Sequence, residues 1–293
     1  MKQKAFLQII IAGVLWGTSG IFVNLLSPYG FSSLQMTFLR ACVSAISMGV
    51  YILLQNKRLF ACSLRELGLY ALSGLGLFGT AGCYYIAMQA TSISTAVMLL
   101  YMAPVYVMLF SVAFLGERFS RLKGLAVACM LLGCCLVSGV LGGLQLSLWG
   151  IGMGVLSGIS YGAYNILTKV ETRRGCHPVT VTFYTFLWMT VFALLTCQPQ
   201  QLPALFVHNP LPTIPLGIAL GLCTGIIPYF LFTLAMKVLP AGTASALSIV
   251  EPMAATVFGI LLFREPLDVF SGLGITLVLL AVFLLSKTES GKE

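Results

Sequence analysis

The sequence predicts an all-α polytopic membrane protein with ten transmembrane helices in two inverted five-helix repeats. Three observations carry that expectation. Hydrophobic residues make up 59% of the chain and charged residues only 8%, whereas a soluble domain is roughly a quarter charged. Residues 5–39, 67–116 and 124–168 contain no Asp, Glu, Lys or Arg. About 20 apolar residues cross a bilayer as helix, so the two longer runs each hold two spans and a turn. Finally, the stretch STAVMLLYMAP at 94–104 returns as GTASALSIVEP at 242–252, placing related segments 148 residues apart, near half of the 293-residue chain.

The ten helices are expected at 5–27, 31–54, 66–88, 91–114, 122–140, 148–170, 179–197, 213–236, 242–263 and 268–286. The first follows Lys2 and Lys4 as a signal peptide would. It is too long for one, however, and its Gly13–Gly17 motif around Trp16 recurs as Gly158–Gly162 around Tyr161. Ser27-Pro28-Tyr29-Gly30 marks the turn after it, and His177-Pro178 a later one. The fourth and ninth helices each hold a proline, Pro104 and Pro252, at matching places. The sixth carries Gly150, Gly154, Gly158 and Gly162, and the eighth Gly217, Gly221 and Gly225. Such spacing makes a flat face on which helices approach closely in lipid. The proline-bearing segment Gln198–Pro215 reads as the longest loop.

Charge orients the spans. With the N-terminus inside, 14 of the 16 Lys and Arg residues fall on the cytoplasmic side, as the positive-inside rule requires. Arg264 falls outside and Arg40 within the membrane. The net charge of +8 is explained by this bias, and a nucleic-acid partner is not expected. An odd number of spans per repeat inverts the second copy, an arrangement typical of secondary transporters. The halves divide at 1–143 and 144–293. An inner (cell) membrane setting, with both termini cytoplasmic, is the expected localisation; a homodimer is left open.

Trp16-Gly17, Phe38-Leu39-Arg40, Pro104, Gly116-Glu117-Arg118, Glu251-Pro252 and Arg264-Glu265 occur in an order and spacing that resembles the EamA-type transporters of the drug/metabolite transporter superfamily. The resemblance spans the whole chain as two copies of one unit. It departs at Tyr161, where the second copy lacks the tryptophan. It implies a ten-helix transporter, commonly an exporter of amino acids, other metabolites or toxic organic compounds.

The residues suggest where cargo would bind. Arg40 lies deep in the second span, where an ionised side chain costs about 3 kcal/mol or more and faces a cavity or a partner. Its counterpart in the second copy is Trp188, so the shared scaffold does not demand the charge. It can grip a carboxylate through its guanidinium fork, or bond helix-end carbonyls. Glu251 stands where the first copy has Ala103, directly before Pro252. It can bind a cationic group or carry a proton, or pair with Arg40. Facing one cavity, the two would suit a zwitterion. Trp16, Tyr84, Tyr85, Tyr101, Tyr161 and Tyr164 are candidate lining residues, against the simpler reading of helix packing. Asn24 and Asn165 either contact cargo or bridge helices. Glu117 and Glu265 are expected to stabilise helix N-termini, and His177 and His208 to sit solvated in loops. Nine cysteines form no ligand-spaced cluster, and neither a metal, a cofactor nor a disulfide is expected. HExxH, nucleophile-elbow and P-loop motifs are absent, so the chain is not expected to be an enzyme or ATP-driven by itself. Two other readings remain: efflux of cationic drugs or other organic metabolites, and a membrane receptor that binds without moving its ligand.

Overall fold

The computed structural model describes residues 2–91, 93–116, 120–137, 147–263 and 269–290. Among them are fifteen α-helices and no β-strand. The first half holds α1 (Lys2–Gly17), α2 (Ser19–Leu26), α3 (Ser33–Gln55), α4 (Leu64–Ala90), α5 (Ile93–Leu100), α6 (Ala103–Leu115) and α7 (Arg121–Val137). The second holds α8 (Leu148–Arg173), α9 (Pro178–Leu194), α10 (Leu202–His208), α11 (Pro210–Leu220), α12 (Ile227–Met236), α13 (Ala241–Leu247), α14 (Val250–Phe263) and α15 (Val269–Ser290). A π-helical turn, Gly221–Ile226, joins α11 to α12.

Five helical stretches among the described residues are long and apolar enough to cross a membrane: Lys2–Tyr29, Ser33–Gln55, Leu64–Ala90, Pro210–Met236 and Ala241–Leu262. Large apolar side chains such as Leu7, Ile46, Leu54, Leu109, Phe114 and Leu132 point outward, as lipid-facing residues do. The chain is a multi-pass membrane protein. Helix starts follow local chemistry. Ser32 and Ser63 each form a reciprocal capping box, with Gln35 and Glu66, satisfying donors that the first turn leaves open. Glu117, Arg118, Arg264 and Glu265 lie outside the described residues.

Prolines break helices at matching points. α5 ends at Leu100 and α6 begins at Ala103, one residue before Pro104; α13 ends at Leu247 and α14 begins at Val250, two before Pro252. Each proline removes a backbone donor, and a two-residue turn interrupts the helix just ahead of it. The π-turn has the same origin: Pro228, just beyond it, cannot donate back into the ladder. Sequence reasoning placed a loop at Gln198–Pro215. The structure corrects this to a 3₁₀ turn (Pro199–Gln201), then α10 and the start of α11. Pro199, Pro203 and Pro210 occupy first-turn positions, where a missing N–H costs nothing. His177 and His208 likewise belong to helix ends: His177 Nδ1 accepts from Val179 N at 3.3 Å, and His208 closes α10.

Packing pairs the halves reciprocally. α7 packs on α15, and α3 on α9. α1 packs on α12 as α4 does on α8, and α1 on α14 as α5 and α6 do on α8. Helices α3 and α9 run antiparallel. Thr180 and Tyr184, at the start of α9, donate to Leu59 O and Phe60 O beyond the end of α3, at 2.8 Å each. Gln35, at the start of α3, bonds Gln201 beyond the end of α9 at 3.2 Å. The core is rich in rings, with Tyr229 at its centre: Trp16 lies 4.9 Å away, Phe186 5.2 Å and Tyr164 5.8 Å between centroids.

Close helix approach depends on glycine. A Cβ on Gly17 would meet Ala254 Cβ at 2.8 Å and Glu251 O at 3.0 Å; one on Gly158 would meet Leu99 O at 2.8 Å. Gly17→Ala should therefore lower stability by about 1–3 kcal/mol through overpacking, read as a reduced melting temperature in detergent. Gly20→Ala, which meets nothing within 4 Å, should not. Partial desolvation, and then the Lys237 charge, hold the His177 imidazole below its ordinary value. The unfolded chain then gains this proton before the folded one as pH falls. Stability present above a pH of about 6.5 should decline below it, and His177→Asn, which retains a cap acceptor, should flatten that decline. An identical pH slope in the variant would contradict the assignment.

Candidate functional site

A cavity of about 590 Å³ opens among α1, α2, α3, α4, α5, the π-turn and α14. Binding pockets for small molecules commonly span roughly 300–1,000 Å³. Its wall includes one basic side chain, Arg40, and one acidic, Glu251, with Trp16, Tyr84, Tyr101 and Tyr229 among the aromatics. Asn24, Ser33, Leu34 and Met88 line it as well, and these sit where α2 ends, α3 begins and α4 ends. The cavity therefore runs from that end of the bundle inward to Glu251.

Arg40 is held by its backbone. Ser44 Oγ donates to Arg40 O at 2.7 Å and to Gly221 O at 3.1 Å, tying α3 to the π-turn. A Cβ on Gly225 would stand 3.1 Å from Arg40 Cγ and collide with Ser44 Oγ. The arginine stem thus lies against bare backbone. Arg40 Nε is buried without a hydrogen-bond partner, as is Trp16 Nε1. Both belong to residues of the cavity wall and are donors that no described group satisfies.

Glu251 is the second residue of α14, where its N–H reaches Ser248 O at 3.0 Å across the helix break. Tyr101 hydrogen-bonds its side chain, and the Arg40 charge acts on it across the cavity. No direct ion pair joins Arg40 and Glu251. The arrangement offers a fixed cation and a carboxylate on one aromatic wall, each with bonding capacity free for a bound molecule. Among the described residues no group of three His, Cys, Asp or Glu side chains could hold a metal ion.

The structure brings Arg40, Glu251, Trp16, Tyr84 and Tyr101 into this one wall, together with Asn24, Tyr85 and Tyr161. Asn165 stands apart. It is fully buried, its Nδ2 3.5 Å from Ser245 Oγ, and it bridges α8 to α13. Tyr164 is likewise core, packed on Phe232 and Tyr229. Sequence reasoning did not single out Tyr229 or Thr224, which line the cavity beside the π-turn. The available signal was the Gly225-Pro228 spacing just ahead of Tyr229. Two buried charges also escaped it. Lys169 Nζ donates to Met236 O at 2.7 Å and Leu239 O at 2.6 Å, capping α12 in the manner of a basic residue at a helix C-terminus. Glu171 accepts from Ser73 Oγ at 2.7 Å. Lys169 lies at the end of the expected span 148–170 and Glu171 just beyond it, where charge reads as solvated.

Residues 3–139 and 148–287 each match the model of the EamA-like transporter family. An uncharacterized transporter of Archaeoglobus fulgidus is 31% identical over 280 residues, covering 94% of each chain. The uncharacterized transporter YwfM of Bacillus subtilis is 26% identical over 98% of this chain and 95% of its own. A solved crystal structure, 16% identical, shares the fold over 100% of both chains with a TM-score of 0.82.

The tie between α3 and the π-turn yields a test. Ser44→Ala removes two hydrogen bonds from a buried position and should cost about 0.5–1.5 kcal/mol, with weaker ligand binding as Arg40 loosens. Unchanged melting temperature and unchanged binding would show that Ser44 does not position it.

Proposed function

This chain belongs to the EamA-like transporter family, and on that premise we propose that it moves a small zwitterionic, amphipathic metabolite out of the cell by alternating access. An amino acid is the leading cargo. The single observation that carries this reading is Arg40 and Glu251 together lining one aromatic-walled cavity. Arg40 holds the cargo carboxylate through paired, charge-assisted hydrogen bonds. Glu251 holds its ammonium group, and the rings cover its apolar part.

In this reading the chain has ten spans in two inverted repeats, 1–143 and 144–293, with both termini in the cytoplasm of the inner membrane. The antiparallel pairing of α3 with α9 supports the inversion. The reciprocal helix contacts support the repeat. The cavity mouth then faces outward. Glu251 also couples transport to protons: a proton arriving from outside and the cargo ammonium compete for one carboxylate, so protonation ejects cargo, and cargo binding inside displaces the proton. A wall with Arg40 in it disfavours a permanent organic cation by like-charge repulsion.

Counterflow in proteoliposomes, with labelled amino acids, nucleobases and organic cations, tests the substrate without assuming a driving ion. Signal with amino acids is expected; signal with cations alone would overturn the zwitterion site. Arg40→Ala should reduce amino acid counterflow by about a hundredfold, the loss of a charged hydrogen-bonded contact worth roughly 3 kcal/mol, while the protein remains folded. Glu251→Gln should abolish the pH dependence of uptake into acid-loaded vesicles. A pH profile identical to the wild type would remove Glu251 as the proton carrier.

A further inference from the structure

Glu171 takes no part in the cavity. It sits near the end of α8 and is fully buried, at 0% exposure. Ser73 Oγ of α4 donates to its Oε1 at 2.7 Å, and its Oε2 is buried without a partner. Ser73 and Tyr70, a turn apart on α4, are buried as well, so water is shut out of the seam between α4 and α8. The crossing is tight further along: a Cβ on Gly76 of α4 would stand 3.2 Å from Ser160 O of α8. Among the described residues no cation bears on the carboxyl. Lys169 reaches to Met236 O and Leu239 O, and Arg173 Nη1 to Leu115 O at 2.9 Å. Arg174 acts instead on Glu66, at the start of α4. The titratable groups that face Glu171 are Tyr70 from α4, Cys176 from the turn before α9 and Tyr164 on its own helix. None of the three carries charge near neutral pH. Among the described residues of α5, α6, α9, α12 and α13, no charged side chain acts on it.

A carboxylate buried without a cation is strongly disfavoured. The scaffold does not need a carboxyl here: the spacing that relates Gly13 to Gly158 sets Leu26 opposite Glu171, and Leu26 is equally buried. Were its role only to bond Ser73, glutamine would serve without an ionisable group. The seam also has a polar connection to one end of the bundle. Glu66, Tyr70 and Ser73 recur at helical spacing on one side of α4. Cys176 Sγ donates to Glu66 Oε1 at 3.7 Å, and the Tyr70 phenol hydrogen-bonds Cys176 and lies within electrostatic reach of Glu171. Glu66 in turn caps α4 by accepting from Ser63 N at 2.7 Å. Lys57, Arg58, Arg65 and Arg174 belong to this end, which the positive-inside rule sets in the cytoplasm. We propose that Glu171 is a second proton-binding site of the transporter, in exchange with the cytoplasm and separate from the cavity, and that loss of its proton loosens α4 from α8 at that end. A neutral Glu171 is compatible with a dry seam. An ionised one needs water or a cation and gains neither until the helices part. Acid on the cytoplasmic side therefore holds this end shut, and alkali releases it.

The inference rests on the transport reading, but on no particular cargo. Infrared spectra of the purified protein read the proton directly. At neutral pH, the difference between wild type and Glu171→Gln should show the carbonyl stretch of a protonated carboxyl. Ionised carboxylate bands in its place overturn the proposal. The second measurement is counterflow in vesicles, with pH varied only on the face that bears Lys57 and Arg58, from about 5 to 8, a span that covers ordinary and buried carboxyls. The wild-type rate should rise several-fold with pH, and the Glu171→Gln rate should stay level, since glutamine keeps an acceptor for Ser73 but cannot ionise. Ser73→Ala removes a donor that favours the ionised form and should move the midpoint to higher pH; this variant carries the test should Glu171→Gln fail to fold. Equal slopes in wild type and Glu171→Gln, or an unmoved midpoint in Ser73→Ala, overturn the proposal. Silent counterflow in the wild type would reject the transport reading instead, and the infrared difference would still decide whether Glu171 holds a proton.

Discussion

Hydrocarbon offers no hydrogen bonds, so every peptide group within the membrane must find its partner inside the chain. That constraint organises this molecule. Regular helix meets lipid, and irregular backbone is confined to the interior. The breaks between α5 and α6 and between α13 and α14, and the π-turn before α12, all border the cavity. Side chains repair the ladder there: Thr224 Oγ1 reaches Leu220 O at 2.7 Å, Ser248 Oγ reaches Ser245 O at 2.6 Å, and Ser44 serves two carbonyls. Polar backbone makes a place where charge is tolerable, and Arg40 and Glu251 occupy it.

Glycine and duplication supply the rest of the scaffold. Gly17 brings α1 against α14 at the carbonyl of Glu251, and Gly225 lets the π-turn meet α3 at Arg40. The same close crossings that shape the wall therefore fix the two charges relative to each other. The second repeat carries related segments with different chemistry. Trp188 replaces the arginine and Ala103 the glutamate.

Much of this was legible in the linear chain. Charge-free runs announce a membrane interior because a buried ion is expensive, and the recurrence of one proline-bearing segment announces duplication. Arg40 and Glu251 stood out for the same reason: charges inside apolar runs, each missing from its repeat counterpart. Helix starts within the proline-bearing segment were misread as loop, since proline is a breaker in a helix interior and an initiator in its first turn, and only the surrounding backbone distinguishes these. For Asn165 and Tyr164 the sequence leaves cargo contact and helix packing both open, and the structure places them in the core, because which side of α8 faces a cavity depends on how α4, α12 and α13 pack around it. Glu171 and Lys169 were passed over since their burial follows from partners distant in sequence, Ser73 in α4 and the carbonyls that end α12.

The sequence by itself determined the class of structure: an apolar, duplicated, helical membrane chain with Arg40 and Glu251 set inside its apolar runs. Those properties are local or periodic, and they survive in one dimension. Tertiary structure decided that Arg40 and Glu251 share a cavity, that Tyr229 joins them, and that Thr185 Oγ1 and Trp188 Nε1 are buried without hydrogen-bond partners. Each of these depends on which helix faces meet, and in lipid that is settled by close van der Waals fit at glycines and by the placement of a few hydrogen bonds, neither of which hydropathy records.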